Sequence, residues 1–125
     1  MPTLSVTQSA PDEGPDGAAE AHRESVRLAI EAGVQIAMGS DNPVRPHSGV
    51  LSELKHLAAA GLGDAGALRA ATIDAARLLG LDDDRGEVAV GKRADLVVLD
   101  GTSLDCGSLE ERVRQVFHDG VAVGR

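Results

Sequence analysis

The sequence predicts an α/β chain that closes with a small β section. Three observations carry this. Near the start, a polar/apolar alternation, an amphipathic helix pattern and a short apolar run follow one another with short joins. That strand–helix–strand order is the building unit of a parallel sheet. Helix-period patterns then fill the middle of the chain. Last, Asp119-Gly120 stands between two apolar runs, a strong signal for a two-residue hairpin.

In order, Pro2–Thr7 alternates polar and apolar residues and reads as a short strand. Gln8 to Gly17 is rich in Pro, Gly and acids, which predicts an exposed loop. From about Ala18 to Ala32, Val26, Ala29, Ile30 and Gly33 fall at helical spacing, and charges take the other face. Gly33 is the expected helix stop. Val34–Met38 follows at once as a strand, too short for a typical helix. Asn42-Pro43 halts the run, because proline fixes its own φ and biases the residue before it toward extended backbone. After the loop Asn42–Ser48, a second helix is predicted from about Val50 to Ala60, with Val50, Leu54, Leu57, Ala58 and Gly61 inward. Two shorter helices follow, about Ala65–Ala71 and one ending at Leu79, with Asp64 and Thr72 as N-caps and Gly80 as the stop. The character changes near Asp82–Arg85. Gly86–Gly91 reads as extended, Ala94–Leu99 as a buried strand, and Val113–His118 with Val121–Val123 as a hairpin.

Composition bounds the function. The 125 residues suffice for one small domain with one core. The formal charge is −8 and no Lys/Arg stripe forms, so a nucleic-acid partner is not expected. One Phe and no Trp or Tyr leave no base-stacking surface. No apolar stretch approaches the roughly 20 residues of a membrane span, and no signal-peptide pattern is visible. A cytoplasmic location is the expectation. Cys106 is the single cysteine, which excludes an internal disulfide and a Cys-based zinc site.

Asp41 is the first candidate site residue. It ends the predicted strand Val34–Met38 and its Gly39-Ser40 extension, and that edge of α/β folds gathers ligands and catalytic groups. A turn-capping aspartate fits the same spacing, so both readings stay open. His47 shares the loop that starts at Asp41 and hence the same rim, and an ordinary polar loop residue fits there too. Glu53-x-x-His56 places both side chains on one helix face. Di-iron bundles need two such motifs and two further Glu-bearing helices. One copy reads as a solvated helix face. Gly86-x-x-x-x-Gly91-Lys92 falls short of a phosphate-binding loop: Arg93 stands where Ser or Thr must hold magnesium, and a strand rather than a helix follows. His22, His47, His56 and His118 show no zinc-ligand spacing. Cys106 has no nearby His to activate it as a nucleophile.

Several stretches together resemble the metal-dependent amidohydrolases of the imidazolonepropionase and Xaa-Pro-dipeptidase-like group. They are Pro2-Thr3-Leu4, Ala32-Gly33-Val34 leading to Gly39-Ser40-Asp41, His47-Ser48-Gly49 with Ser52-Glu53-Leu54, and Ala60-Gly61-Leu62. The strongest are Ala70-Ala71-Thr72 with Ala75 to Leu81, and Gly91-Lys92-Arg93-Ala94-Asp95-Leu96 running on to Leu99. The ending Val113–Val123 also fits. The resemblance implies the last two strand–helix units of a (β/α)₈ TIM barrel over residues 1–84. Residues 85–125 would then be the C-terminal strands of a small composite β-sandwich domain. Pro2–Thr7 would be the seventh barrel strand and Val34–Ser40 the eighth. Asp41 would be the strand-eight aspartate, which in the family binds the catalytic divalent metal, usually zinc, and relays a proton from the attacking water to the leaving nitrogen. Asn42 and His47 would line the substrate mouth.

The departure from the family is large. Its His-x-His pair, its bridging lysine or carboxylate and two further metal histidines have no counterpart here. A catalytic zinc uses about three protein ligands, and a full barrel takes roughly 250 residues. The expectation is therefore a C-terminal segment of a hydrolase for carbon–nitrogen bonds outside ordinary peptides, taking a small-molecule substrate and inactive alone. Cyclic amides, imidazolone rings and Xaa-Pro bonds are the substrate classes implied. The alternatives are a non-catalytic α/β interaction module and one half of a split enzyme. Exposed apolar faces would favour self-association or a complementing N-terminal barrel segment.

Overall fold

The computed structural model describes residues 1–5, 17–41 and 49–124. Helix α1 spans Ala18–Glu31. It buries Val26 and closes where Gly33 turns to φ 73°, a left-handed value that glycine adopts without strain. Helix α2, Val50–Leu57, buries Glu53, Leu54 and Leu57. It runs into the wider π-helical turn Ala58–Leu62. Gly61 sits there at φ 122°, which side-chain-bearing residues rarely tolerate, and kinks the chain toward α3, Gly63–Ala71. Helix α4, Ile73–Leu79, ends at Gly80 with φ 67°. The sequence reading of this helical succession stands, with boundaries shifted by a residue or two.

The predicted caps do other work. The Thr72 hydroxyl donates back to the Leu68 carbonyl at 2.7 Å and does not cap α4, and Asp64 lies inside the first turn of α3 rather than at its N-cap. Asp64 Oδ1 instead accepts the Cys106 backbone N–H at 2.9 Å.

Strand β1, Leu96–Leu99, is followed by the short helix α5, Leu109–Arg112, then by β2, Val113–His118, and β3, Val121–Gly124. The sheet is antiparallel in the order β1-β2-β3. His118 pairs with Val121 across Asp119 (φ 51°) and Gly120 (φ 79°), the two positive φ values of the hairpin turn that this dipeptide favours. Gly86–Gly91, read as an extended piece between turns, pairs with no other strand among the described residues. One expectation about the β section fails: β1 is not buried, since Val97 and Val98 are 58% and 41% exposed. The sheet is a single layer, and a strand is buried only when a second layer covers its face.

The two expected N-terminal strands are also absent among the described residues. Leu4 and Ser5 are helical, and residues 34–41 are irregular. A strand is defined by a neighbour, and neither segment has a ladder partner here. Of the amides in 34–41, Met38 donates to the Ala70 carbonyl near the end of α3, and Val34 to the Ala29 carbonyl near the end of α1. Helix-end carbonyls lack intrahelical donors and accept such bonds readily.

One core unites the chain. Leu4, Val26, Leu54, Leu57, Ala60, Ala67, Ala70, Cys106 and Leu109 form it, with Ile36 and Met38 packed against it. Rows of alanine let α2, the π-helical turn and α3 approach closely. Cys106 and Leu109 reach into this core from the connection between β1 and β2.

Candidate functional site

Asp41 ends the irregular stretch 34–41, exposed and with φ 50°. Aspartate tolerates this left-handed value better than most residues, because its short side chain can bond locally. The expected strand beneath it is not formed, so Asp41 is presented by a segment that rests on α3 through Met38. Asn42 and His47, the expected substrate contacts, lie outside the described residues.

Residues 1–3 run beside this segment. A methyl group built on Gly39 would stand 3.2 Å from Thr3 Oγ1 and 3.4 Å from Met1 Cβ. The N-terminal residues and the approach to Asp41 are therefore in close contact.

Glu53 is the surprise of the site. The sequence reading made Glu53-x-x-His56 a solvated helix face, and the structure buries Glu53 completely. Its Oε1 accepts the Leu4 N–H and its Oε2 the Ser5 N–H, each at 2.7 Å. These are the donors of a helical turn just opening, where N–H groups have no intrahelical partner. A carboxylate removed from water is costly unless hydrogen bonds replace its hydration, and two short N–H···O bonds do so. With both oxygens engaged, Glu53 is a clamp rather than an acid or base. The signal was in the sequence: Glu53 stands three residues after Val50 and four before Leu57, on the inward stripe of α2.

His56, one turn on, is half-buried. Burial holds its imidazole below the ordinary pKa; Glu53 pulls upward, and Lys55 and Arg23 push down. With Leu4, Arg23 and Ala59 it lines an open cleft of about 280 Å³. Arg23 also pairs with Glu20 at 2.7 Å.

Among the described residues, no three His, Cys, Asp or Glu side chains come together as a metal site. The donor set therefore does not fit a complete divalent-metal centre: Asp41 offers one carboxylate, and Glu53 is turned to backbone amides. Lys92, of the near-miss phosphate loop, donates to the Asp82 carbonyl at 2.7 Å and pairs with Glu87 at 2.6 Å.

The rest of the Gly-Lys-Arg-Ala-Asp-Leu block is structural. Arg93 pairs with Asp84 at 2.9 Å and with Asp119 at 3.4 Å. Asp95 Oδ1 accepts the Asp119 N–H at 2.8 Å and meets His118 Nδ1 at 3.1 Å, and the Gly120 N–H reaches the Ala94 carbonyl. The block fastens the hairpin turn to the end of the helical section. Cys106 is buried, and burial together with Asp64 pushes its thiol up to about 11, which leaves it inert.

The model of the Amidohydrolase family matches residues 14–123. The chain is 35% identical over 112 residues to an N-substituted formamide deformylase of Arthrobacter pascens, covering 77% of this chain and 20% of that protein. It is 34% identical over 102 residues to an imidazolonepropionase of Thermoplasma volcanium, covering 78% and 25%. A crystal structure of a Xaa-Pro dipeptidase with methionine bound in its active site superposes with a TM-score of 0.85 at 28% identity, over 100% of this chain and 34% of that one. The chain thus spans about a fifth to a quarter of the length of these two relatives. Among the described residues, no helix is long and apolar enough to cross a membrane.

Proposed function

This chain belongs to the amidohydrolase family, and on that premise we propose that it forms the C-terminal portion of a metal-dependent hydrolase of carbon–nitrogen bonds outside ordinary peptides. The observation that carries the reading is the family match across Gly39-Ser40-Asp41 and on to the hairpin. In it, residues 1–84 belong to the end of a (β/α)₈ barrel and residues 85–125 to a small composite β domain. Segments 1–5 and 34–41 take up strand pairing when neighbouring barrel strands are present.

Asp41 is the reacting group this chain contributes. An exposed carboxylate at the rim takes a proton from the attacking water and returns it to the leaving nitrogen. The family generally uses divalent metals, zinc among them, and the described residues supply at most one ligand to such an ion. The remaining donors lie outside them. Asn42 and His47 face the substrate in this reading. Formamides, imidazolone-type rings and Xaa-Pro bonds are the substrate classes named by the relatives. The chain alone is inactive.

A second reading, a non-catalytic module that acts through its apolar sheet, is favoured by the exposure of Val97, Val121 and Val123. One experiment separates the two. This chain replaces the matching third of a Xaa-Pro dipeptidase, and the chimaera is assayed on a Xaa-Pro dipeptide beside the isolated chain. The expected result is turnover by the chimaera, none by the chain alone, and a loss of about 10²–10⁴ in kcat/KM on Asp41→Asn. Full activity of the Asp41→Asn chimaera overturns the role of Asp41, and turnover by the isolated chain overturns its inactivity.

A further inference from the structure

Among the described residues, Glu53 is the one charged side chain that the core buries, and the mechanism does not use it. An apolar residue at this position would continue the inward stripe of Leu54 and Leu57 without the cost of desolvating a carboxylate. Its distinguishing property is geometric. Two oxygens hold two successive backbone N–H groups 48 and 49 residues away in sequence. A two-point attachment fixes orientation as well as distance.

Contact continues from the clamp as far as Gly39. Leu4 and Ser5 are held by Glu53; residues 1–3 precede them, and Met1 and Thr3 lie against Gly39, two residues before Asp41. Ile36 and Met38, on the same segment, pack against the core cluster that contains Leu4. From this path we infer that Glu53 is a positioning residue for Asp41. It seats the N-terminal residues so that they brace the segment presenting the rim carboxylate. The clamp also ties α2 to the chain that runs beside Gly39. The functional meaning of the clamp rests on the reading of Asp41 above; the clamp itself is tested without any activity.

The test is residue-resolved hydrogen exchange by NMR on the full chain, comparing wild type with Glu53→Gln. The substitution keeps size but turns one acceptor into a donor facing an N–H. Three sites are read: the Leu4 and Ser5 amides at the clamp, the Met38 amide that bonds Ala70, and the Leu81 amide that bonds Ala76 as a remote control. The expected result is exchange faster by about tenfold at Leu4 and Ser5 and by several-fold at Met38, with Leu81 unchanged. The three-bond coupling of Asp41, which follows its φ, should move with them. Acceleration confined to Leu4 and Ser5, or shared equally by Leu81, overturns the proposal: the first removes the link to the rim, the second reports global loosening.

Should Glu53→Gln not fold, Gly39→Ala enters the same path from the other end. Its new methyl would press on Thr3 Oγ1. Faster exchange at Leu4 and Ser5, restored by adding Thr3→Ala, is expected, because coupling between two sites is reciprocal. Unchanged Leu4 and Ser5 amides in Gly39→Ala overturn the inference. The chimaera assay with Asp41→Asn decides separately whether the braced carboxylate is catalytic.

Discussion

The helices between Ala18 and Leu79 and the sheet between Leu96 and Gly124 draw on the same aliphatic residues and place them in opposite surroundings. In the helical part, Leu54, Leu57, Ala60, Ala67 and Ala70 are almost wholly removed from water. In the sheet, Val97, Val121 and Val123 are each more than half exposed. Helices can bury a stripe against one another, and here they take in Leu4, Cys106 and Leu109 to complete the core. A three-stranded sheet offers two faces and needs a second layer for at least one. Leu99 and the β1–β2 connection touch the core, but what fastens the hairpin is polar: Arg93 between Asp84 and Asp119 and Asp95 under the turn, with Asp64 on the Cys106 amide holding the connection. One region is stabilised by burial and the other by anchors.

That contrast is open to direct attack. Leu57→Ala empties a fully buried position, and its expected cost is about 2–5 kcal/mol. Val121→Ala, the matching truncation in the sheet, should change stability by no more than about 0.5 kcal/mol. Urea midpoints of the two variants check both numbers, and comparable losses would break the distinction between the regions. Cys106 sharpens it, because this residue belongs to the β connection by sequence and to the helical core by packing. With its thiol pushed from 9.0 up to about 11, the thiolate at pH 8 is about a hundredfold scarcer than for an ordinary cysteine. Alkylation by iodoacetamide should be slower by at least that factor and recover its ordinary rate on unfolding. Rapid labelling of the native chain would detach the connection from the core.

The same division explains what could be read from the sequence. α1, the α2 run, α4 and the hairpin were legible because their signals are local: a 3.6-residue stripe, Gly33 and Gly80 as stops, Asp119-Gly120 as a turn. Residues 2–5 and 34–38 looked like strands because their composition suits a sheet, but composition cannot supply the neighbour that a ladder requires. Val97 and Val98 suit a buried strand by composition for the same reason, and the structure exposes both. The match to a family came from residue identities, chiefly Gly39-Ser40-Asp41 and the block Gly91–Leu96. The roles within that block were not legible, since Arg93 and Asp95 act on Asp84, Asp119 and His118, which only the fold brings near. Glu53 was misread although its place on the inward stripe was visible: a charge among leucines points outward far more often than it finds two buried amides.

The anchored region carries the smallest effect and the one most specific to pH. Asp95 sits in the sheet's polar fastening, and the Asp119 N–H, then the charge and hydrogen bond of His118, then Arg85, hold its carboxyl below the ordinary 3.8. Asp84 is lowered in the same way by Arg85 and Arg93. A carboxyl whose folded pKa lies below its unfolded value contributes its stabilisation above the unfolded value and loses it as pH falls through the folded one. The hairpin turn should therefore loosen as pH drops below about 4, while the core of Leu54, Leu57 and Ala67, which contains no part of this cluster, holds its packing. The measurement is an NMR titration of the Asp119 and Gly120 amides beside those of α3. Asp95→Asn should flatten most of the pH response at Asp119 and leave the Gly120 bond to Ala94 in place. Equal acid sensitivity in α3 would mean that the fastening stabilises the whole chain rather than its exposed sheet, and the separation between a region held by burial and one held by anchors would fail at the hairpin.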